Sequence, residues 1–323
     1  MTADGLSYGI VQTAGGPCGV LATVQAYLLR HLIHRDGAVP PFTTSRPEFE
    51  EALCHGLADI LWQAGGGQRA CVAVLAGKRR LSASEDDELR QANCRPDNVT
   101  EMLSVFDCGS HAQVLETLRR FTAELTAPAG HGVIATLYSA ILSRGVANVA
   151  DDMASFEGAE AQLMGAHNYC SQEMVNLLLV GRAVGNVFDG DRELEGATLK
   201  GIAVQGEVGL LTLFEHYGSM EVGSLLKQPK VPIWVVCSES HFSVCFAPAQ
   251  IAAGCGGGTL ELYYYDGLSK QDAPILLTVT WQGGADKLPM EDYDRDMTPP
   301  LEHCIRTRWP AAKIDWNGTD PIL

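Results

Sequence analysis

The sequence has few basic residues and no long apolar run, and each shortage excludes a class of protein. Lys and Arg number 23 against 39 Asp and Glu, a formal net charge of −16. Because binding to nucleic acid depends on Lys and Arg at the phosphates, we expect no nucleic-acid partner. No segment reaches the roughly 18 consecutive apolar residues of a membrane span, so we expect no membrane association either.

Several catalytic and metal-binding motifs are also missing. The chain has no C-x-x-C or H-E-x-x-H spacing for zinc, no G-x-x-x-x-G-K-[ST] run for phosphates and no G-x-S-x-G elbow of serine hydrolases. Asp189-Gly190-Asp191 lacks the other ligands of a calcium loop and predicts a turn. We therefore expect neither a metal nor a cofactor.

The ten cysteines lack the close pairing of a disulfide scaffold, and a chain of 34.7 kDa is too large to need one. They are predicted to be reduced thiols. Residues Met1–Tyr8 contain no basic stretch followed by an apolar core, so no secretory signal is indicated. Both observations predict a cytoplasmic or nuclear protein.

Composition and pattern predict an α+β fold. With 46% hydrophobic and 19% charged residues the chain is of ordinary globular composition, and its 323 residues suit about two lobes or one large domain. We predict a single domain over 1–323 with a helix-rich part at about 1–200 and a sheet-rich part at about 201–323. Helices first and strands later favour an antiparallel sheet over a doubly wound parallel one.

The individual helices and strands are predicted from the spacing of apolar residues, from runs of β-branched residues and from turn-forming residues. Helices are predicted over Cys18–Ile33, Glu48–Gln63, Val99–Phe106, His111–Leu125 and 172–180. Gly132–Leu142 fits either a strand or a helix. Strands are predicted over Cys71–Ala76, Pro232–Cys237, Phe242–Phe246, Thr259–Tyr265 and Ile275–Trp281.

The segment before the first helix predicts a reactive cysteine. The turn Gly15-Gly16-Pro17 delivers Cys18 to the start of a helix, where unpaired N–H groups and the helix dipole favour a thiolate. Gln12 lies six residues earlier, close enough for its amide to donate to a developing oxyanion together with the Cys18 N–H. The alternative is a buried structural cysteine that follows a turn.

A histidine that could serve this cysteine lies between two predicted strands. His241 stands at the entry to the second strand, and alternation puts it on one face with Ser243 and Cys245, opposite Phe242, Val244 and Phe246. A histidine at the edge of a sheet that faces Cys18 would be the general base of a thiol acyl-transfer enzyme. A hydrogen-bonded turn histidine is the alternative.

Two acidic residues are candidates to orient this imidazole. Asp266 ends the strand Thr259–Tyr265 at an Asp-Gly turn, a place that a tight turn alone also favours. Glu239 precedes His241 by two residues. The sequence does not choose between them.

Blocks of the sequence along most of its length resemble the MINDY deubiquitinases, most closely the branch of the third and fourth human members. The blocks are Gln12–Leu28 (QTAGGPCGVLATVQAYL), Leu177–Asp189 (LLLVGRAVGNVFD), Gly209–His216 (GLLTLFEH), Val231–Phe246 (VPIWVVCSESHFSVCF), Tyr264–Leu268 (YYDGL) and Cys304–Trp309 (CIRTRW).

The resemblance implies a cysteine isopeptidase that cleaves polyubiquitin, with the family's preference for lysine-48-linked chains, on a diverged papain-like fold. Cys18 then matches the nucleophile, His241 the general base and Gln12 the oxyanion donor, while Asp266 lies at a block position that carries Asp or Asn. Ubiquitin and its chains would be the partners. Two other readings stay open: a catalytically inactive ubiquitin-binding pseudoenzyme, and a thiol protease with a different substrate.

Overall fold

Helices dominate the first part of the chain and strands the last. The computed structural model describes residues 6–13, 15–34, 43–75, 99–128, 130–154, 162–165, 169–194, 196–248, 257–282 and 298–321. The helices are α1 (Cys18–His34), α2 (Arg46–Ala64), α3 (His111–Arg120), α4 (Thr122–Leu125), α5 (Gly132–Arg144), α6 (Val146–Met153), α7 (Gln172–Val180), α8 (Leu213–His216), α9 (Ser224–Lys227) and α10 (Pro300–Arg308). The strands are β1 (Ala70–Val74), β2 (Ser104–Cys108), β3 (Arg192–Leu194), β4 (Ala197–Leu199), β5 (Gly209–Thr212), β6 (Ile233–Ser238), β7 (His241–Phe246), β8 (Gly258–Tyr265), β9 (Ile275–Trp281) and β10 (Lys313–Asp315).

Local sequence signals account for the two long helices, which confirm the prediction. α1 is buried along most of its length because it is apolar nearly all round. α2 begins with a capping box in which Ser45 and Glu48 satisfy each other's backbone N–H groups, and Pro47 lies in its first turn, where the missing N–H costs nothing. The two helices pack against each other.

A six-stranded sheet forms the second part of the molecule, in the order β10-β9-β8-β7-β6-β5. All neighbouring pairs are antiparallel except β5 and β6, which run parallel. The predicted α+β class and its antiparallel strands are confirmed. The prediction missed β5 and its parallel pairing, because this strand has only four residues and no hairpin turn joins it to β6.

β5 and β6 are buried on both faces and do not alternate between apolar and polar residues, whereas β8 and β9 alternate in part. One face packs on α1 and carries Val235, Val244, Phe246, Tyr263 and Tyr265. The opposite face packs under α10 and carries Trp234, Val236, Cys245, Leu262, Tyr264, Leu277 and Val279. The sheet therefore lies between two apolar cores.

The helix predicted over Val99–Phe106 is wrong. A short 3₁₀ turn at Thr100–Met102 is followed by β2, which pairs antiparallel with β1. β2 is half exposed in alternation, as a strand at a surface is. Pairing with the fully buried β1 overrides the weak local pattern of this segment.

The apolar segment Gly132–Leu142, for which the sequence left strand and helix open, belongs to helix α5. Its Ser139 and Ser143 accept hydrogen bonds from the backbone N–H groups of Ala73 and Cys71, both at 2.8 Å. No described helix is alone long and apolar enough to cross a membrane. α5 and α6 meet that criterion only together, and they are bent by 86°.

Candidate functional site

Cys18 is the first residue of α1 and follows a turn that needs glycine. Gly16 has a φ of 116°, in the region that side chains with a Cβ avoid. The carbonyl oxygen of Pro17 accepts the N–H of Leu21 at 3.0 Å and so starts the helix. The Cys18 sulfur thus lies at the positive end of a buried 17-residue helix, where a thiolate is stabilised.

The turn between β6 and β7 lies directly against this cysteine. The Cys18 thiol donates to the carbonyl oxygen of Ser240 over 3.8 Å. His241, the next residue, makes a side-chain hydrogen bond with the Cys18 sulfur. The structure therefore brings together the cysteine and the histidine that the sequence predicted to meet.

The two groups shift each other's pKa in opposite directions. Burial raises the pKa of Cys18, but hydrogen bonds from His241 and from the backbone N–H groups of Phe242 and Gly19 outweigh it, so the net pKa is lowered. The pKa of His241 is raised to about 9, by its hydrogen bond to Asp266 first and by Cys18 second. This arrangement favours a thiolate and imidazolium pair at neutral pH.

Asp266, and not Glu239, contacts the imidazole. Nε2 of His241 lies 2.8 Å from Oδ1 of Asp266, whose side chain is buried. The same Oδ1 accepts the N–H of Leu268 at 2.8 Å, which fixes the carboxylate. Glu239 lies in the turn with its side chain exposed and a left-handed φ of 55°. Because Nε2 of His241 is bonded to Asp266, Nδ1 is the ring nitrogen available to the Cys18 sulfur.

Gln12 lines the same pocket as Cys18, together with Phe242 and Gly267. It is 6% exposed, and its backbone N–H donates to the carbonyl oxygen of Gly267 at 2.9 Å. Because Gly267 follows Asp266, this bond ties the segment before α1 to the strand end that orients His241. All four predicted site residues therefore belong to one cluster.

Gln25, which was not among the predicted site residues, holds the segment that carries Gln12. Gln25 is 1% exposed in α1; its Oε1 accepts the N–H of Ile10 at 2.7 Å, and its Nε2 donates to the carbonyl oxygen of Tyr8 at 2.9 Å. The hydroxyl of Tyr265 donates to the carbonyl oxygen of Ile10 at 3.0 Å. A glutamine on the apolar surface of a buried helix was the signal that could have identified it.

Comparison with known proteins gives matches over nearly the whole chain. The family model described as the deubiquitinating enzyme MINDY-3/4, conserved domain, matches residues 1–318. The chain is 41% identical over 98% of its length to the mouse (Mus musculus) protein named probable ubiquitin carboxyl-terminal hydrolase MINDY-4, and 40% identical to the human (Homo sapiens) one. It covers 42% of each of these relatives.

A second group of relatives matches a shorter part. The bovine (Bos taurus) ubiquitin carboxyl-terminal hydrolase MINDY-3 is 38% identical over 73% of this chain and 56% of its own length. No solved structure gives a match. A family model that covers almost every residue, with relatives at about 40% identity, decides the assignment. The chain belongs to the MINDY-3/4 family of deubiquitinating enzymes.

Proposed function

We propose that this chain is a cysteine isopeptidase that hydrolyses polyubiquitin. The observation that carries the proposal is the contact of Cys18 at a helix start with His241, itself bonded to Asp266 at 2.8 Å. A nucleophile, a base and an orienting carboxylate in hydrogen-bond contact are what thiol acyl transfer requires. Family membership supports ubiquitin as the substrate, because the relatives are named ubiquitin carboxyl-terminal hydrolases.

In the proposed cycle the Cys18 thiolate attacks the carbonyl carbon of the C-terminal glycine of ubiquitin in the isopeptide bond. The Gln12 amide and the Cys18 N–H stabilise the oxyanion. Protonated His241 gives its proton to the departing lysine amine, and the thioester forms. His241 then takes a proton from water, which releases ubiquitin and restores the thiolate. Asp266 keeps the imidazole oriented and favours its charged form.

Finer features of the proposal follow from the family and from the sequence. We propose a preference for lysine-48-linked chains, a diverged papain-like fold and a single catalytic domain over 1–323. A cytoplasmic or nuclear location is part of the same proposal. The C-terminal tail of ubiquitin is extended and ends in glycines, so we expect a narrow cleft at the pocket lined by Gln12, Cys18 and Phe242.

The test combines an activity-based ubiquitin probe that ends in an electrophile with cleavage of purified polyubiquitin of each linkage. We expect the wild-type chain to form a covalent adduct at Cys18 and to release ubiquitin, fastest from lysine-48-linked chains. Cys18→Ala removes the nucleophile, so adduct and turnover are both lost while the circular dichroism spectrum is unchanged.

Each component of the proposal has its own contradicting result. Binding of polyubiquitin without an adduct in the wild-type chain would indicate a pseudoenzyme. An adduct that persists in Cys18→Ala would assign the chemistry to another residue. Equal cleavage of all linkages would contradict the lysine-48 preference and leave the isopeptidase assignment in place.

A further inference from the structure

A second cysteine lies against the turn that carries Cys18. The sulfur of Cys170 is 3.9 Å from the carbonyl oxygen of Gly16. A Cβ placed on Gly19 would lie 3.1 Å from the Cβ of Cys170, so this side chain also packs on the first turn of α1. Cys170 therefore contacts the backbone on both sides of Cys18.

Both sulfurs lie near the first turn of α1. The backbone N–H of Gly19 acts to lower the pKa of Cys18 and that of Cys170, and the N–H of Val20 also acts on Cys170. Both thiols are free, and Cys170 is partly exposed. A disulfide needs the two sulfurs at about 2 Å, so its formation requires both side chains to rotate toward each other about their Cα–Cβ bonds.

We propose that Cys18 and Cys170 form a reversible disulfide when a hydroperoxide oxidises Cys18, and that Cys170 thereby protects the nucleophile from irreversible oxidation. The proposal concerns the regulation of the proposed active site and depends on Cys18 being its reactive thiolate. Without a second thiol, the sulfenic acid formed at Cys18 reacts further with peroxide to the sulfinic acid, which thiols do not reduce.

The chemistry balances in two steps. The Cys18 thiolate attacks one oxygen of hydrogen peroxide, the O–O bond breaks, and Cys18 becomes the sulfenic acid as hydroxide leaves. The deprotonated Cys170 then attacks the Cys18 sulfur, the S–O bond breaks, and the departing hydroxide takes up the proton that Cys170 lost, which gives water. Peroxide is reduced by two electrons, and the protein loses two hydrogen atoms.

Cys237 is the competing partner in this part of the structure. It lies on β6 near Cys18 and donates to the carbonyl oxygen of Glu239 at 3.7 Å. It is 4% exposed, and burial raises its pKa to about 12, so its thiolate is rarely available. Burial also raises the pKa of Cys170, but two backbone N–H groups act against that rise. We therefore expect Cys170, and not Cys237, to form the disulfide with Cys18.

The test uses the full chain, wild type and the variants Cys170→Ser, Cys170→Ala and Cys54→Ser. The Cys54 variant is the matched control, because that thiol lies away from the site and a hydroxyl can keep its bond to Thr122. Each protein is treated with hydrogen peroxide, and half of each sample is then reduced with dithiothreitol. Intact mass, peptide mapping and labelling by the ubiquitin probe are measured before and after reduction.

In the wild type and in Cys54→Ser we expect a mass loss of two hydrogens, a crosslinked peptide that contains Cys18 and Cys170, and full recovery of labelling by dithiothreitol. The Cys170 variants should label normally when reduced, gain oxygen at Cys18 on oxidation and lose labelling that dithiothreitol does not restore. Two substitutions, to serine and to alanine, are made at Cys170 so that a folding defect in one variant does not decide the result.

Three results would overturn the proposal: wild type that gains oxygen without crosslinking, a crosslink from Cys18 to another cysteine, or full recovery of labelling in both Cys170 variants. These readouts are separate from the deubiquitinase assignment. If reduced wild type never reacts with the probe, the proposed function fails, while the mass and the peptide map still decide whether the disulfide forms.

Discussion

The charge of His241 depends on one buried carboxylate, and this gives a pH prediction at the residue scale. The pKa of His241 is raised to about 9 by Asp266 first and Cys18 second. The imidazolium that protonates the leaving amine is therefore present below about pH 9 and is lost above it. In Asp266→Asn the opposite charge is gone, so the pKa of His241 falls by about 1 to 3 units. We expect the alkaline limb of kcat/KM against pH to move down by that amount.

Glu239→Gln is the matched control for this measurement. It also removes one negative charge within two residues of His241, but from an exposed side chain in the turn, and the alkaline limb should stay where it is. If Glu239→Gln moved the limb and Asp266→Asn did not, the acidic partner of His241 in solution would be Glu239.

At the residue scale, chemistry that depends on local sequence could be predicted and the choice between distant partners could not. Cys18 follows from a glycine turn and a helix start, both read within a few residues. The choice between Asp266 and Glu239 depends on where β8 ends relative to β7, and the Asp266 contact joins residues 25 positions apart. Glu239 is nearer in sequence, but the left-handed turn leaves its side chain in solvent.

At the scale of elements, α1 does more than present Cys18, because Gln25 also holds the preceding segment on the helix. Gln25→Leu removes a partly buried hydrogen bond to Ile10 and a buried one to Tyr8, each worth about 1 kcal/mol of stability. We expect the free energy of unfolding to fall by about 2 kcal/mol. Because Gln12, the proposed oxyanion donor, lies on the loosened segment, the rate of labelling by the ubiquitin probe should also fall.

Gln63→Leu separates the effect on the site from the effect on stability. Gln63 in α2 likewise makes two hydrogen bonds, accepting from the Tyr27 hydroxyl at 3.0 Å and donating to the carbonyl oxygen of Leu178 at 2.7 Å. Urea unfolding should show a similar loss of stability in both variants, with slower labelling in Gln25→Leu alone. Equal labelling rates in the two variants would mean that Gln25 has a purely structural role.

Helices with a strong periodic pattern of apolar residues could be predicted from the sequence. Strands that depend on pairing with another strand could not. α1, α2 and α7 carry enough apolar residues to define a helix on their own. β2 is half exposed and exists by pairing with β1, whose other side is satisfied by two serine hydroxyls of α5. Long-range pairing of this kind leaves no signal within a short window of sequence.

At the scale of the whole molecule, the central sheet joins two apolar cores, and the site lies where strands of that sheet end. His241 is the first residue of β7, directly after the β6–β7 turn, and Asp266 follows β8. Side chains alternate along these strands between the core around α1 and the core under α10. A substitution that destabilises the core under α10 should therefore also destabilise the surroundings of Cys18, because the strands join the two cores across the sheet.

Trp309 gives the means to test this coupling. It is 3% exposed after α10, with its ring centroid 5.5 Å from that of Trp234 on β6 and 5.7 Å from that of Trp281 on β9. Trp309→Ala leaves a cavity under the sheet and should cost about 3 to 5 kcal/mol of stability. Leu194→Ala, at a side chain that is 57% exposed, should change stability by less than about 0.5 kcal/mol.

If the sheet couples the two cores, Trp309→Ala lowers two transition temperatures together: that of the circular dichroism signal, and that at which Cys18 stops reacting with the ubiquitin probe. Coincident transitions by independent probes are the mark of cooperative unfolding. Labelling that survives after the sheet has melted would mean that the core around α1 holds Cys18 and its partners without the core under α10. The site would then depend on one core alone, and the single catalytic domain proposed over 1–323 would have to be divided.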